Sequence, residues 1–173
     1  MTRTTKFRAA HYLLAALIVL LDQATKAVVA ARVPLNVGWI DVIPGFFAIT
    51  HVQNRGAAFS MFADGSTPAT VALLIGFSSI AMLVIGYFLW KVGNAVTLTS
   101  VSLTLVLGGA VGNLWDRVQH GRVTDFLHFY FGKYSWPDFN VADSAIVVGA
   151  VLLILEIVFT GSEHHEKEQR EHA

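Results

Sequence analysis

Several acidic side chains stand inside or beside long apolar stretches of this chain, and they are the first candidates for chemistry. Asp22 lies within an apolar stretch near the N-terminus, Asp125 follows a later one, and Asp143 lies near the start of the last. A carboxylate at the centre of a bilayer costs about 2.5–3.5 kcal/mol on insertion scales, so such an acid usually has a partner or a task. These three carboxylates therefore need either a structural or a functional explanation.

Asp125 and Asp143 each have an ordinary structural explanation. Asp143 stands where an N-terminal helix cap is expected, and Asp125 is explained as an interfacial loop acid paired with Arg117 or Arg122. Considered together, they suggest more, because two carboxylates at close range do not both ionise easily. One then keeps a proton while the other acts as a base, and such a pair can activate a water against an amide.

Asp22 and Lys26 are four residues apart, so on a helix they share one face and can pair. A polar anchor between helices and a direct functional role explain this pair about equally well. Both explanations stay open at this point.

The composition places the candidate acids in a membrane protein. Hydrophobic residues make up 54% of the 173 and charged residues only 14%, against roughly 25% charged in soluble domains. Twelve basic residues balance twelve acidic ones, so no net charge points to nucleic acid. With no cysteine, thiol catalysis, disulfides and cysteine-ligated metal are excluded.

Other site chemistries have little support. The chain has no zinc-protease, serine-hydrolase or phosphate-loop motif, and His51, His120 and His128 are scattered without ligand spacing. Three histidines near the C-terminus are potential metal ligands, but a solvated tail is favoured there: His164, His165 and His172. We therefore expect no metal site.

Four apolar segments must position the acids. Residues 70–90 and 95–115 are 21-residue runs without a charge before Asp116, and each spans roughly 32 Å as a helix, enough to cross a hydrocarbon core. Residues 12–31 and 141–160 are the other two predicted spans. The alternative for residues 12–21, a cleaved signal peptide, is disfavoured because the apolar stretch resumes after Lys26 and completes a crossing.

The segments between the helices predict the rest of the architecture. The acid-free basic N-terminal tail places both termini, including the tail 161–173, in the cytoplasm. Residues 33–68 are rich in β-branched and aromatic residues and predict short strands, whereas the aromatic density of residues 117–140 predicts an interfacial loop. The expected fold is a single-domain, all-α membrane protein with four transmembrane helices, a small extracytoplasmic β-rich cradle and an interfacial loop.

A small transporter or channel is the rival function. It would also use intramembrane Asp22, Lys26 and Glu156, but transporters commonly carry internal repeats, and none is visible in this sequence. A structural assembly protein is a third possibility that nothing specific supports.

Five sequence blocks together resemble those of bacterial lipoprotein signal peptidase, also called signal peptidase II. The blocks follow one another in the family's order and are residues 21–26, 54–60, 108–117, 121–126 and 139–144. The resemblance covers about residues 12–160 and shows no departure at the key positions. Any one block alone would be weak, but the five together are highly specific.

The resemblance implies an aspartic endopeptidase of the bacterial inner membrane with its active site at the outer face. Such enzymes remove the signal peptide from prolipoproteins, cutting before a cysteine that already carries diacylglyceryl. It assigns the catalytic pair to Asp125 and Asp143 and implies no metal or organic cofactor. The implied partners are lipid-modified prolipoproteins, membrane lipids and inhibitors such as globomycin-like cyclic peptides, with no nucleic acid, and the chain is expected to be a monomer.

The same resemblance suggests supporting roles for other positions. Asn54, Asn113 and Asn140 match family positions near the catalytic pair, where they are expected to hold substrate carbonyls or orient a carboxylate. Arg117 is expected to pair with Asp116 or to fix a loop. Three further positions match the family's blocks, namely Gly56, where the backbone is expected to approach the substrate closely, and the pair Asp22 and Lys26.

Overall fold

The computed structural model describes residues 3–56 and 67–171, with side chains up to residue 159. Within these residues four helices are long and apolar enough to cross a membrane, as predicted. They are α1 (Arg3–Arg32), α2 (Pro68–Val92), α3 (Leu98–His120) and α4 (Val141–Glu171). The apolar span of α4 is Val141–Phe159, and the C-terminal histidines interpreted as part of a solvated tail lie outside the described side chains.

The helix ends differ from the predicted bounds for local reasons. α3 begins after Thr97, whose side chain accepts from the backbone nitrogen of Ser100 in a capping box. It ends at His120 and is followed by Gly121, whose φ of 66° favours glycine. α3 is therefore shifted toward the C-terminus relative to the predicted 95–115, and it contains Asp116 and Arg117. At the ends of the chain, α1 starts well before residue 12 and α4 continues beyond residue 160.

A four-stranded antiparallel sheet connects the helices, in the order β1 (Trp39–Ile43), β2 (Phe47–Asn54), β3 (Val123–Phe131) and β4 (Tyr134–Ser135). Strands were expected in residues 33–68, and they are present there. The structure differs for residues 117–140, which were predicted as an interfacial loop and instead supply β3 and β4. The pairing of β2 with β3 satisfies backbone groups that a loop would leave to water.

The centre of the helical bundle is α3, which packs against α1, α2 and α4. Small residues allow this close packing. A side chain at Gly109 would collide with the carbonyl oxygen of Ala142, and one at Gly112 would stand 2.8 Å from Oδ2 of Asp22. The glycines of α3 thus bring α1 and the start of α4 together at the end of the bundle that carries the sheet.

Candidate active site

Asp125 lies in β3, opposite Val52 of β2, and only 3% of its surface is exposed. Its two carboxylate oxygens accept hydrogen bonds from two asparagine side chains. Nδ2 of Asn140 donates to Oδ1 at 2.7 Å, and Nδ2 of Asn54 donates to Oδ2 at 3.1 Å. A carboxylate expected in a loop is thus held by strand pairing and by two amide donors.

Asp143 lies in the first turn of α4. Its backbone nitrogen donates to Oδ1 of Asn140 at 2.8 Å, and the backbone nitrogen of Asn140 donates to Oδ2 of Asp143 at 3.3 Å. This reciprocal pattern is a capping box in which Asn140 is the cap. The expected capping role of Asp143 therefore exists, but it still leaves Oδ1 of Asp143 to accept from Nδ2 of Asn113 at 2.7 Å.

Asn140 brings the two acids together. It is completely buried, its side-chain nitrogen contacts Asp125, and its amide oxygen and backbone nitrogen contact Asp143. The two carboxylates thus stand on either side of one asparagine, although their positions in the sequence are 18 residues apart.

The electrostatics of Asp125 suit a group that exchanges a proton near neutral pH. Burial, followed by the charge of Asp143, raises the pKa of Asp125 to about 7. The hydrogen bonds from Asn54 and Asn140 and the charge of Lys26 lower this pKa, but they do not cancel the effect of burial. Asp125 is therefore poised for general acid–base chemistry.

Asp22 and Lys26 form the ion pair that their spacing suggested. Nζ of Lys26 lies 2.7 Å from Oδ2 of Asp22, and both side chains are almost completely buried. The same ammonium lies 2.7 Å from Oδ2 of Asp116 on α3, while Oδ1 of Asp22 accepts from the backbone nitrogen of Ala142 on α4 at 3.0 Å. The pair therefore anchors α1 to α3 and α4 directly behind the two acids.

Asp116 and Gln23 are members of this network that the sequence reasoning did not identify. Asp116 pairs with Lys26 rather than with Arg117, and it also accepts from Nε2 of Gln23 at 2.8 Å. The available signal was the spacing of Asp116 from Asn113, which places both on one face of α3.

The orientation of the Asn113 amide follows from counting protons. Its Oδ1 is 3.3 Å from Nζ of Lys26 and 3.3 Å from Nδ2 of Asn140. An ammonium and an amide nitrogen only donate, so the oxygen of Asn113 must face them and its nitrogen must face Asp143. Lys26 thereby determines, through Asn113, which group donates to Asp143.

Arg117 holds the chain around Gly56. Its Nη2 donates to the carbonyl oxygen of Gly56 at 3.3 Å, and its Nη1 donates to that of Asn113 at 3.4 Å. The backbone nitrogen of Gly56 in turn donates to Oδ1 of Asn54 at 2.9 Å, which leaves Nδ2 of Asn54 for Asp125. Of the two roles expected for Arg117, the geometry matches the fixing of a loop.

No group of three or more potential metal-binding side chains is present among the described residues. The arrangement offers a buried carboxylate with a pKa near neutrality, Asp125, and a half-buried one, Asp143, among amide donors that can hold a carbonyl. Such a site can activate water and protonate a leaving amine.

Comparison with known proteins shows the family of this chain. A family model described as Signal peptidase (SPase) II matches residues 14–159. The lipoprotein signal peptidase of Desulforapulum autotrophicum is 43% identical over 147 residues, covering 85% of this chain and 90% of that protein. The lipoprotein signal peptidase of Geobacter sulfurreducens is 45% identical over 138 residues, covering 80% and 84%.

The fold is also shared with a solved structure. A bacterial membrane enzyme determined by the in meso method at 2.3 Å superposes with a TM-score of 0.79 at 30% identity, over 90% of this chain and 91% of the other. The family match, the relatives and the shared fold confirm the resemblance first visible in the sequence blocks. The chain belongs to the signal peptidase II family and is a membrane aspartic peptidase.

Proposed function

We propose that this protein removes the signal peptide from lipoproteins, cutting before a diacylglyceryl-modified cysteine, with Asp125 and Asp143 as the catalytic pair. Removal of signal peptides from lipoproteins is supported by the family and by relatives named lipoprotein signal peptidase. The assignment of Asp125 and Asp143 as the catalytic pair is supported by the position of Asn140, which contacts both carboxylates.

In the proposed mechanism Asp125 begins protonated and Asp143 begins ionised. Burial, followed by the charge of Asp143, raises the pKa of Asp125. Asp143 is more exposed than Asp125, and it lies in the first turn of α4, where the helix dipole stabilises negative charge. Asp143 takes a proton from water, whose oxygen attacks the scissile carbonyl, and Asp125 donates its proton to the carbonyl oxygen. The pair titrates as a unit, so the apparent pKa values belong to both groups.

The tetrahedral intermediate then collapses and restores the starting state. The carbon–nitrogen bond breaks, the proton held by Asp143 passes to the leaving amine, and a hydroxyl proton of the intermediate returns to Asp125. The products are the carboxyl end of the signal peptide and the free amino group of the lipidated cysteine. Every atom comes from the peptide and one water, so no cofactor is required.

The aromatic face of the sheet suits a lipidated substrate. Phe129 stacks on Phe47 with ring centroids 4.7 Å apart and on Phe139 at 5.8 Å, while Phe46 packs edge-on against Phe129 at 5.3 Å. Phe46 remains 48% exposed. In this proposal the cluster lies at the lipid surface beside Asp125, and acyl or glyceryl groups bury apolar area against it at about 25 cal/mol per Å².

The proposed location is the bacterial inner membrane, with both termini cytoplasmic and the sheet and the two acids at the outer face. The acid-free basic start of α1 supports this orientation. A lipid-anchored scissile bond already lies at headgroup depth, so the substrate needs little extraction. Globomycin-like cyclic peptides would occupy the same site, and the protein would act as a monomer.

The experiment is incubation of the purified chain with a diacylglyceryl-modified prolipoprotein, followed by mass measurement of both products. We expect one cut, immediately before the lipidated cysteine. A cut elsewhere, or no cut by folded protein, would contradict the proposal.

A further inference from the structure

Three side chains on one face of the sheet form a hydrogen-bonded series that the proposed peptidase chemistry does not use. Oγ of Ser135 in β4 lies 2.8 Å from Nε2 of His128 in β3. Nδ1 of the same ring lies 3.1 Å from Oδ1 of Asp138, which follows β4. A hydroxyl, an imidazole and a carboxylate in this spatial order are the parts of a serine nucleophile, its general base and the group that orients the base. Such a series is recognised by its geometry and has no fixed spacing along the chain.

Counting the protons gives each group the polarity that this chemistry needs. An ionised carboxylate only accepts, so Nδ1 of His128 carries the hydrogen that is donated to Asp138. Nε2 of the neutral ring is then an acceptor, and the hydroxyl of Ser135 is the donor. His128 is therefore positioned to remove the proton of Ser135 when Oγ attacks a carbonyl.

The base and the carboxylate are held in place by neighbouring side chains, whereas the serine is open. His128 is 8% exposed, and its ring packs edge-on against that of Trp39 with centroids 4.9 Å apart. Oδ1 of Asp138 also accepts from Oγ1 of Thr50, which is itself 6% exposed. Ser135 is an exposed residue, so a substrate can approach it from outside the sheet.

The backbone nitrogen of Ser135 supplies a donor for the oxyanion that forms during such an attack. Hydrogen-bonded and non-hydrogen-bonded residue pairs alternate along an antiparallel ladder. The backbone nitrogen of Trp136 donates to the carbonyl oxygen of Phe129 at 2.8 Å, so the adjacent pair, Tyr130 and Ser135, is of the non-hydrogen-bonded type. The N–H of Ser135 therefore points away from β3, toward the outer edge of the sheet. One oxyanion donor suits an ester better than an amide, because an alcohol leaves more easily than an amine.

The series lies on the face of the sheet opposite to Asp125. Side chains alternate between the two faces of a strand, and Asp125 and His128 are three residues apart on β3. Trp39 and Tyr130 stand on the same face as His128, with ring centroids 5.2 Å apart, and Trp39 is 50% exposed. This aromatic surface near Ser135 suits the apolar acyl or aryl group of an ester.

We propose that Ser135, His128 and Asp138 form a second hydrolytic site, which acts on carboxylic esters. Oγ of Ser135 attacks the ester carbonyl while its proton passes to Nε2 of His128. The bond between the carbonyl carbon and the alcohol oxygen then breaks, and His128 gives the proton to the leaving alcohol. Water next gives a proton to His128 and attacks the acyl carbon, and Oγ of Ser135 leaves and takes that proton back. One ester and one water thus become one acid and one alcohol.

The test is treatment of the purified full chain with a fluorophosphonate, which modifies serines activated by a base, followed by mass location of the adduct. We expect the adduct on Ser135. It should form about 10²-fold or more slowly in His128→Phe, which keeps a ring beside Trp39 but removes the base. Tyr134→Phe is the matched control, because it removes only the hydroxyl of the exposed neighbouring residue and should be modified at the full rate. Folded protein without an adduct on Ser135, or an equal rate in His128→Phe, would overturn the proposal.

Hydrolysis of p-nitrophenyl butyrate measures turnover of an ester and keeps the test valid if His128→Phe does not fold. Ser135→Ala, at an exposed position, should abolish this hydrolysis. Asp138→Asn retains an oxygen for His128 and Thr50 but removes the charge that stabilises the protonated imidazole. We expect about a ten-fold lower kcat with an unchanged KM, since a charge-assisted hydrogen bond becomes a neutral one. An unchanged kcat would contradict the role of Asp138, and equal turnover by Ser135→Ala would overturn the proposed site.

Discussion

Oδ1 of Asp22 accepts a hydrogen bond from the backbone nitrogen of Ala142 at 3.0 Å. Ala142 directly precedes Asp143, so a carboxylate on α1 fixes the first turn of α4 that presents Asp143. The contact requires Gly112 of α3, where a Cβ would stand 2.8 Å from Oδ2 of Asp22. Three helices thus determine the position of one proposed catalytic group.

We expect Asp125→Asn and Asp143→Asn each to lower the rate of prolipoprotein cleavage by about 10²-fold or more, because a carboxamide cannot exchange the proton. The measurement is single-turnover cleavage by purified protein of equal helical content. Glu156→Gln is the matched control, since Glu156 contacts Thr99 and not the two acids. Substantial turnover by either Asp variant would remove that residue from the catalytic pair.

The pH dependence of cleavage should report the titration of Asp125. Burial raises its pKa from 3.8 to about 7, so the protonated form that the mechanism requires is lost as pH rises through about 7. The charge of Lys26 lowers this pKa, so Lys26→Gln should move the alkaline decline to higher pH. The measurement is kcat/KM from pH 5 to 9, and an unchanged decline in folded Lys26→Gln would refute the assignment.

Asp22→Asn should destabilise the protein by about 1–3 kcal/mol, because Lys26 keeps its ion pair with Asp116 while the backbone nitrogen of Ala142 loses a charged acceptor. Thermal unfolding in detergent measures this loss. The double variant Asp22→Asn with Lys26→Met should be less stable than Asp22→Asn, since it leaves the buried carboxylate of Asp116 without its ammonium partner. A double variant as stable as Asp22→Asn would contradict the pairing of Lys26 with Asp116.

Topology reporters should show that the sheet lies on the opposite side of the membrane from both termini. A reporter in the turn at Lys133, between β3 and β4, should report the outer side. Reporters at Asn94 and after Ala173 should report the cytoplasm. An outward C-terminus would be incompatible with four crossings.

The lipid on the substrate should contribute more to recognition than its side chains. The Phe46, Phe47, Phe129 and Phe139 cluster offers apolar area, whereas one methylene in a small side-chain pocket is worth only about 1–3 kcal/mol. Cleavage of one prolipoprotein with and without diacylglyceryl, at equal detergent concentration, compares the two. Equal rates would indicate a general intramembrane aspartic protease.

The amino-acid sequence by itself determined the membrane class, the four helices and the candidate acids. Long charge-free runs in lipid form transmembrane helices, because a helix satisfies its own backbone hydrogen bonds. The i, i+4 spacing of Asp22 and Lys26 likewise predicted their pair, since it depends on one helix alone.

Only the tertiary structure decided the relations between distant segments. Strand β3 forms in place of the predicted loop because it pairs with β2. Lys26 contacts Asp116 because α1 packs against α3. The joint contact of Asn140 with Asp125 and Asp143 depends on a strand and a helix meeting at one residue. Such contacts are set by packing between elements, and the spacing of residues along one element carries no information about them.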